Sequence, residues 1–376
     1  MISVLQEGFD YLKSRSVPEA EASSEFLLSH VVKVGRAQIQ GGLIAPISPA
    51  EKKKFLALIR RRAHRQPLAY VTGSQPFLDL KLLCGPGVLI PRPETEELVF
   101  KVFKSFEGRE RENLLFLAVG AGTGAISISL AHYFKKARVF AMEKSVRAKN
   151  WMRKNLSLYP EEARRISLIH KNMLQSWGLG RLRLRKEIND PFGGASLRQM
   201  QGATTPACLK ARLGGATQQM PKIAPPRRGW PLLGCDFVTH RLHTAEGMLA
   251  LRSSSRSKIG QPNRSLISLR SLKFDMIVSN PPYIPSSEIK RLELEVLREP
   301  RMALDGGPDG LRYLRRIFSQ AMEYLKPKGI AIAEIGFGQG AEMRKIMKKA
   351  GFERAEVQCD SAGIPRFAIA QKDTGI

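Results

Sequence analysis

Several things are scarce in this 376-residue chain. It has four cysteines, Cys84, Cys208, Cys235 and Cys359, and no two of them form a CxxC pair. That excludes a disulfide framework and reads as reduced thiols in a cytoplasmic protein. Cys235, His240 and His243 lie near one another but lack a fourth ligand at sensible spacing, so no metal is expected. No apolar run approaches the ~18 residues that a membrane span needs. Met1 to Ser16 mixes acids and bases without an apolar core, which does not read as a secretion signal. Acidic residues are also short: 34 Asp/Glu stand against 61 Lys/Arg, a formal net charge of +27. Such an excess points first to an acidic partner such as nucleic acid.

Much of that excess sits in one place. The stretch from about residue 177 to 272 holds sixteen Lys/Arg against four Asp/Glu. It carries Gly193-Gly194, Gly214-Gly215, Pro225-Pro226-Arg227-Arg228 and a Ser/Arg run at 252–257, and no helical or strand period persists in it. Its composition predicts a basic, disordered insertion with a capacity for non-specific RNA contact.

The rest is periodic. Residues 1–73 show apolar positions at helical spacing (Val4, Leu5, Phe9, Leu12; Phe26, Leu27, Val31; Phe55, Leu56, Ile59), broken at Gly41-Gly42, Pro46 and Pro49. A small helical bundle is expected there, as a substrate-recognition domain. Residues 74–97 read as a hairpin and linker. Phe77–Leu82 is its first strand, Gly85-Pro86-Gly87 its turn and Val88–Ile90 its return. From 98 to 376 strands and helices alternate, with strands near 114–119, 138–143, 166–169, 274–279, 329–335, 355–359 and 366–370. That rhythm predicts an α/β domain with a seven-stranded Rossmann-like sheet, interrupted by the insertion. Ligands of such a sheet sit at the carboxyl ends of its strands.

Three of those ends carry candidate ligand groups. Gly120-Ala121-Gly122-Thr123-Gly124 follows the first strand and opens a helix, so backbone amides can approach a ligand closely. Glu143 ends the second strand about twenty residues on, where a carboxylate can accept from both ribose hydroxyls. Asn172-Met173 follows the third, placing an amide at an adenine edge and a thioether on its face. Beside them Phe274–Ser279 ends in Asn280-Pro281-Pro282-Tyr283. A planar amide or exocyclic amine nitrogen is a poor nucleophile, because its lone pair is delocalised. The Asn280 side-chain carbonyl and the Pro281 backbone carbonyl can hold its N–H groups, and Tyr283 can stack on its plane. An adenosine-shaped ligand beside a held amide suggests S-adenosylmethionine. Asn280 then touches both ligands.

With these pieces in order the chain resembles the HemK-like peptide chain release factor glutamine methyltransferases. The resemblance rests on Arg65-Gln66-Pro67-Leu68-Ala69-Tyr70-Val71-Thr72-Gly73, on Ile90-Pro91-Arg92-Pro93-Glu94-Thr95-Glu96 and on Asn280-Pro281-Pro282-Tyr283-Ile284-Pro285. Ala303-Leu304-Asp305-Gly306-Gly307 with Asp309-Gly310-Leu311, and Glu334-Ile335-Gly336 with Gln339-Gly340, continue it. It implies a class I methyltransferase that modifies the side-chain amide nitrogen of the glutamine in a release factor's Gly-Gly-Gln loop, with Asn280 and the Pro281 carbonyl holding that amide. The sequence departs from the family at Ala118, where an acid is usual, at Asn172, where an Asp is usual, and in the long insertion. Two other readings stand beside this one. Asn-Pro-Pro-Tyr also serves adenine-N6 nucleic-acid methyltransferases, and the departures would suit a non-catalytic release-factor-binding homologue.

Overall fold

A computed structural model describes residues 2–42, 45–175, 177, 181–183, 266–268 and 272–373. Most of the basic segment lies outside these, with Cys208, Cys235, His240 and His243. Among the described residues no helix is long and apolar enough to cross a membrane.

The amino-terminal helices run Ile2–Ser14, Ala20–Val32, Arg36–Gln40, Pro49–Ala63 and Leu68–Thr72. The fourth starts where the sequence supplies a cap. The Ser48 hydroxyl accepts from the Glu51 amide, and the Glu51 carboxylate accepts from the Ser48 amide at 2.9 Å. Leu12, Leu27, Phe55 and Ile59, picked out by their spacing, are fully buried together.

The hairpin is shifted from its expected place. Its strands are β1 (Ser74–Phe77) and β2 (Leu80–Leu83), paired Phe77 to Leu80. The alternating run was expected to be one strand, but it bends at Leu78, whose φ is 52°. That left-handed residue is held from outside, its amide donating to Glu96 at 3.0 Å. Val88–Ile90 is not the returning strand. The Ile90 amide donates instead to the Glu299 carboxylate at 2.8 Å, and the Val88 carbonyl accepts from Tyr70.

Strands β3 (Leu115–Val119), β4 (Arg138–Glu143), β5 (Ile166–His170), β6 (Arg181–Arg183), β7 (Leu266–Ser268), β8 (Phe274–Ser279), β9 (Leu325–Glu334), β10 (Arg354–Cys359) and β11 (Pro365–Gln371) follow. Seven of them form the expected sheet, in the order β10-β11-β9-β8-β3-β4-β5. β9, β8, β3, β4 and β5 run parallel, and β11 and β10 close the edge antiparallel. The chain proceeds outward from β3 through β4 to β5 and then returns to β8 on β3's other side. The strand order therefore switches at β3, and a crevice opens above its carboxyl end. Helices cover both faces. Leu98, Val99 and Val102 of Pro93–Ser105 and Ile128 and Leu130 of Ala125–Tyr133 pack on one face. Leu314 and Phe318 of Arg312–Tyr324 and Met343 and Met347 of Gly340–Lys349 pack on the other.

The two residues that bounded the expected insertion are core residues. Trp177 and Leu272 are buried in the second layer, the Trp177 ring lying 5.6 Å from that of Tyr324. The Trp177 amide also donates to Gln320 at 3.1 Å. Beyond them β6 pairs antiparallel with β7, so Arg183 and Leu266 are register partners. Closing a loop between adjacent partners costs about 0.6 kcal/mol per doubling of length. Replacing residues 184–265 by a two-residue turn should therefore leave the melting temperature unchanged or raised. Trp177→Ala should lower stability by about 3–5 kcal/mol, as for other buried aromatics. Thermal unfolding of the two variants checks both.

Candidate active site

The crevice above β3 is an open cleft of about 920 Å³, its solvent-facing mouth included. Gly120, Ala121, Gly122 and Thr123 line its floor, Glu143 and Ser145 one wall, and Asn172 and Met173 another. The glycine turn is sewn to the end of β4: the Gly120 and Ala121 amides both donate to the Met142 carbonyl, at 2.8 and 3.0 Å. Gly120, Gly122 and Gly124 have φ of +72°, +57° and +89°, a region other L-residues rarely adopt. A Cβ on Gly120 would also press on the Met173 methyl at 3.0 Å. The turn thus leaves a backbone-walled space that side chains would fill, which fits a ligand lying against it. Glu143 is nearly buried and accepts from the Gly122 amide at 2.9 Å and the Ser145 amide at 2.7 Å, one on each oxygen. Each oxygen keeps a second lone pair, so the carboxylate is locked and can still accept from a ligand diol. Asn172 uses its side-chain oxygen to accept from the Leu174 amide at 3.0 Å, a local turn that fixes the residue at the wall.

The Asn280 loop borders this cleft and a smaller pocket beside it. Asn280 and Pro282 line the main cleft; Asn280, Pro281 and Tyr283 line the smaller pocket with Leu89, Arg92, Ile284, Val296, Ala303 and Leu304. Asn280 sits at the junction. Its Nδ2 donates to Thr95 Oγ1 at 2.7 Å, and Thr95 Oγ1 donates to Glu334 Oε2 at 2.8 Å. Tyr283 donates its hydroxyl to the other Glu334 oxygen at 2.9 Å. Burial pushes the Glu334 carboxyl up to about 7, despite these two bonds to its charged form. Burial, with the Glu334 charge beside it, holds the Tyr283 phenol well above its ordinary range, so it stays protonated.

The two glycine-rich blocks downstream of the loop hold it in place. The Gln339 amide donates to the Tyr283 carbonyl at 2.9 Å and accepts from the Gly336 amide at 2.8 Å. The Ile284 amide donates to Leu304, and the Gly306 amide donates back to Ile284. A Cβ on Gly306 would lie 2.8 Å from the Tyr283 Cα, and one on Gly310 would overlap the Tyr283 carbonyl oxygen.

Gly120, Ala121, Gly122, Thr123, Glu143, Asn172, Met173 and Asn280 therefore meet at one cleft. Gly124 instead caps the following helix without lining it. Ala118 is buried in the apolar layer and lines no part of the cleft. Arg92, Thr95 and Met302 line it without having been singled out from sequence. Thr95 was legible only as part of a quoted block, because its role is a contact with Glu334, 239 residues away.

Residues 3–73 match the family model described as the PrmC N-terminal domain. The chain is 29% identical over 369 residues to the release factor glutamine methyltransferase of Moorella thermoacetica, across 98% of this chain and 97% of that one. It is 28% identical over 357 residues to that of Geobacter sulfurreducens, across 95% and 91%. Among solved structures, a methyltransferase from Pyrococcus furiosus aligns with 84% of this chain and 98% of that one, at 13% identity and a TM-score of 0.42.

Gly310 gives the test of the loop's support. Its φ is +74° and its Cβ position is taken by the Tyr283 carbonyl. Gly310→Ala combines overpacking with left-handed strain, and a loss of about 2–4 kcal/mol is expected. Denaturant unfolding measures it, and a loss below about 0.5 kcal/mol, the size of an ordinary surface substitution, would show that the loop gives way freely.

Proposed function

We infer that this chain is a release factor glutamine methyltransferase, on the motifs that carry the resemblance and on relatives matching it over nearly its full length. It transfers a methyl group to the side-chain amide nitrogen of a release-factor glutamine. The observation that carries the chemistry is Asn280, which lines both the cofactor cleft and the smaller pocket, at a boundary it shares with Leu89, Arg92 and Ala303.

S-adenosylmethionine, the cofactor the cleft suits, supplies a methyl group on a sulfonium. Glu143 would accept from its ribose hydroxyls, Asn172 and Met173 would meet its adenine, and the Gly120–Thr123 backbone would pass beneath it. The smaller pocket takes the glutamine side chain. Its two N–H groups need acceptors, and Asn280 Oδ1 and the Pro281 carbonyl provide them. The Ile284 amide, a turn donor that could reach that carbonyl, is taken by Leu304 instead. With both protons held in the amide plane, the lone pair faces along the normal, toward the cofactor cleft. Apolar Leu89, Val296, Ala303 and Leu304 around it exclude water that would otherwise compete for the donors. The basic segment's RNA contact belongs to the same reading, as a salt-sensitive attraction to the ribosomal surroundings of the substrate.

Two variants test this. Asn280→Ala should lower kcat about a hundredfold or more while leaving cofactor affinity within a fewfold, because the lost contact orients the nucleophile. The assay is transfer of labelled methyl to purified release factor, against the same factor with its glutamine replaced and against DNA and RNA. Label entering nucleic acid instead would overturn the substrate assignment. Asn172→Asp keeps the acceptor for the Leu174 amide and adds a second acceptor for the adenine amine. It should tighten cofactor binding about fivefold by calorimetry, the equivalent of about 1 kcal/mol. Unchanged affinity would place the adenine elsewhere.

A further inference from the structure

Thr95 carries one hydroxyl proton and sits between two partners. Glu334 Oε2 lies 2.8 Å away on one side and an Asn280 side-chain atom 2.7 Å away on the other. Glu334 is completely buried, so bulk water cannot replace Thr95 as its partner, and Thr95, at the edge of the cleft, is 4% exposed. An ionised Glu334 can only accept. Thr95 must then spend its proton on Glu334 and accept from Asn280. The Asn280 atom facing Thr95 must be Nδ2, and Oδ1 is left facing the pocket. If Glu334 carries a proton on Oε2, or is a glutamine, it donates to Thr95. The Thr95 proton then points at Asn280, and the amide is most stable turned over, with Nδ2 facing the pocket. A donor there opposes the N–H groups of a glutamine side chain.

We propose that Glu334 and Thr95 are positioning residues that set which end of the Asn280 amide meets the substrate, with the charge on Glu334 passed through the single Thr95 proton. This rests on reading Asn280 as the group that holds the substrate amide. The groups around Glu334 are few. Thr95 and Glu94 approach from the first turn of the helix Pro93–Ser105, Tyr283 from the Asn-Pro-Pro-Tyr loop and Arg366 from β11. Glu94 raises the Glu334 pKa and Arg366 lowers it; Tyr283 donates to Oε1 and leaves Oε2 to Thr95. Because burial places the carboxyl at about 7, the ionised form is lost as pH falls through that value. Transfer should therefore decline on the acid side of neutrality.

The experiment compares wild type, Glu334→Gln, Thr95→Val and Thr95→Ser. Expected are an acid limb in kcat near pH 7 for wild type and a kcat lowered at least tenfold and flat with pH for Glu334→Gln. Thr95→Val should show a similar loss, and Thr95→Ser should restore most of kcat and the acid limb. Cofactor Kd should stay within about threefold throughout, which also reports the fold. Independently of catalysis, the 15N side-chain amide signals of Asn280, assigned by their absence in Asn280→Ala, should titrate near pH 7 in wild type and not in Glu334→Gln. Full kcat with an intact acid limb in Glu334→Gln, or Thr95→Ser no better than Thr95→Val, overturns the proposal and leaves the methyltransferase reading standing. A wild type that modifies no release factor overturns that reading; the amide titration then still decides whether Glu334 turns Asn280, and its absence overturns the relay.

Discussion

Two consecutive prolines cannot donate a backbone hydrogen bond, and the loop that presents Asn280 contains them at Pro281 and Pro282. A segment that cannot knit itself to its neighbours through its own amides must be held from outside. Much of the hydrogen bonding around the site can be understood as that outside support. Thr95 and Glu334 hold the side chains of Asn280 and Tyr283, Gln339 holds the Tyr283 carbonyl, and Leu304 and Gly306 bracket Ile284.

The cofactor side is built on the opposite principle. There the backbone amides are satisfied within the protein, and the problem is to let the chain pass close to a ligand without side chains in the way. Three left-handed glycines solve it, and the Met142 carbonyl ties the turn to β4. Glu143 links the halves of this floor because its two oxygens bind amides from two different turns. The site is thus two unlike surfaces, a floor of side-chain-free backbone whose Gly120, Ala121, Gly122 and Gly124 amides are tied up within the turn and to β4, and a proline-rich lip; the strand-order switch at β3 brings them side by side.

The sequence carried the sheet well because its strands are short apolar runs separated by helices of clear period; β8 and the helix Val146–Leu158 fall where the pattern puts them. The local ligand groups were legible for the same reason, since each follows its strand directly. Legibility failed where a long-range contact overrides a local pattern. Phe77–Leu82 alternates like one strand, but Glu96 captures the Leu78 amide and bends it. Val88–Ile90 has strand composition, but Glu299 takes the amide a partner strand would use. Trp177 opens a stretch of loop-like composition, yet Gln320 and Tyr324 draw it into the core. Thr95 and Glu334 are quoted easily as letters in two motifs, while the bond between them is a property of the fold alone.

The same dependence extends to the amino-terminal bundle. Glu295 and Glu299 lie four residues apart on the irregular segment that lines the smaller pocket through Val296 and Ala303. Glu295 accepts from Arg62 at 2.6 Å, in the last turn of the bundle's longest helix, and from Arg65 at 2.8 Å, just beyond that helix. Glu299 is engaged by Arg92 and by the Ile90 amide, just before the helix Pro93–Ser105. Removing one partner of a buried ion pair costs more than the pair itself contributes, because a charge is left without compensation. The pocket wall is therefore pinned at both ends to elements outside the sheet. The amino-terminal bundle and the wall of the smaller pocket are mechanically one part, joined through Glu295, while Glu299 ties the same wall to the segment that leads into the helix Pro93–Ser105. That arrangement couples the amino-terminal helices to the pocket beside Asn280, although the two are more than two hundred residues apart in sequence.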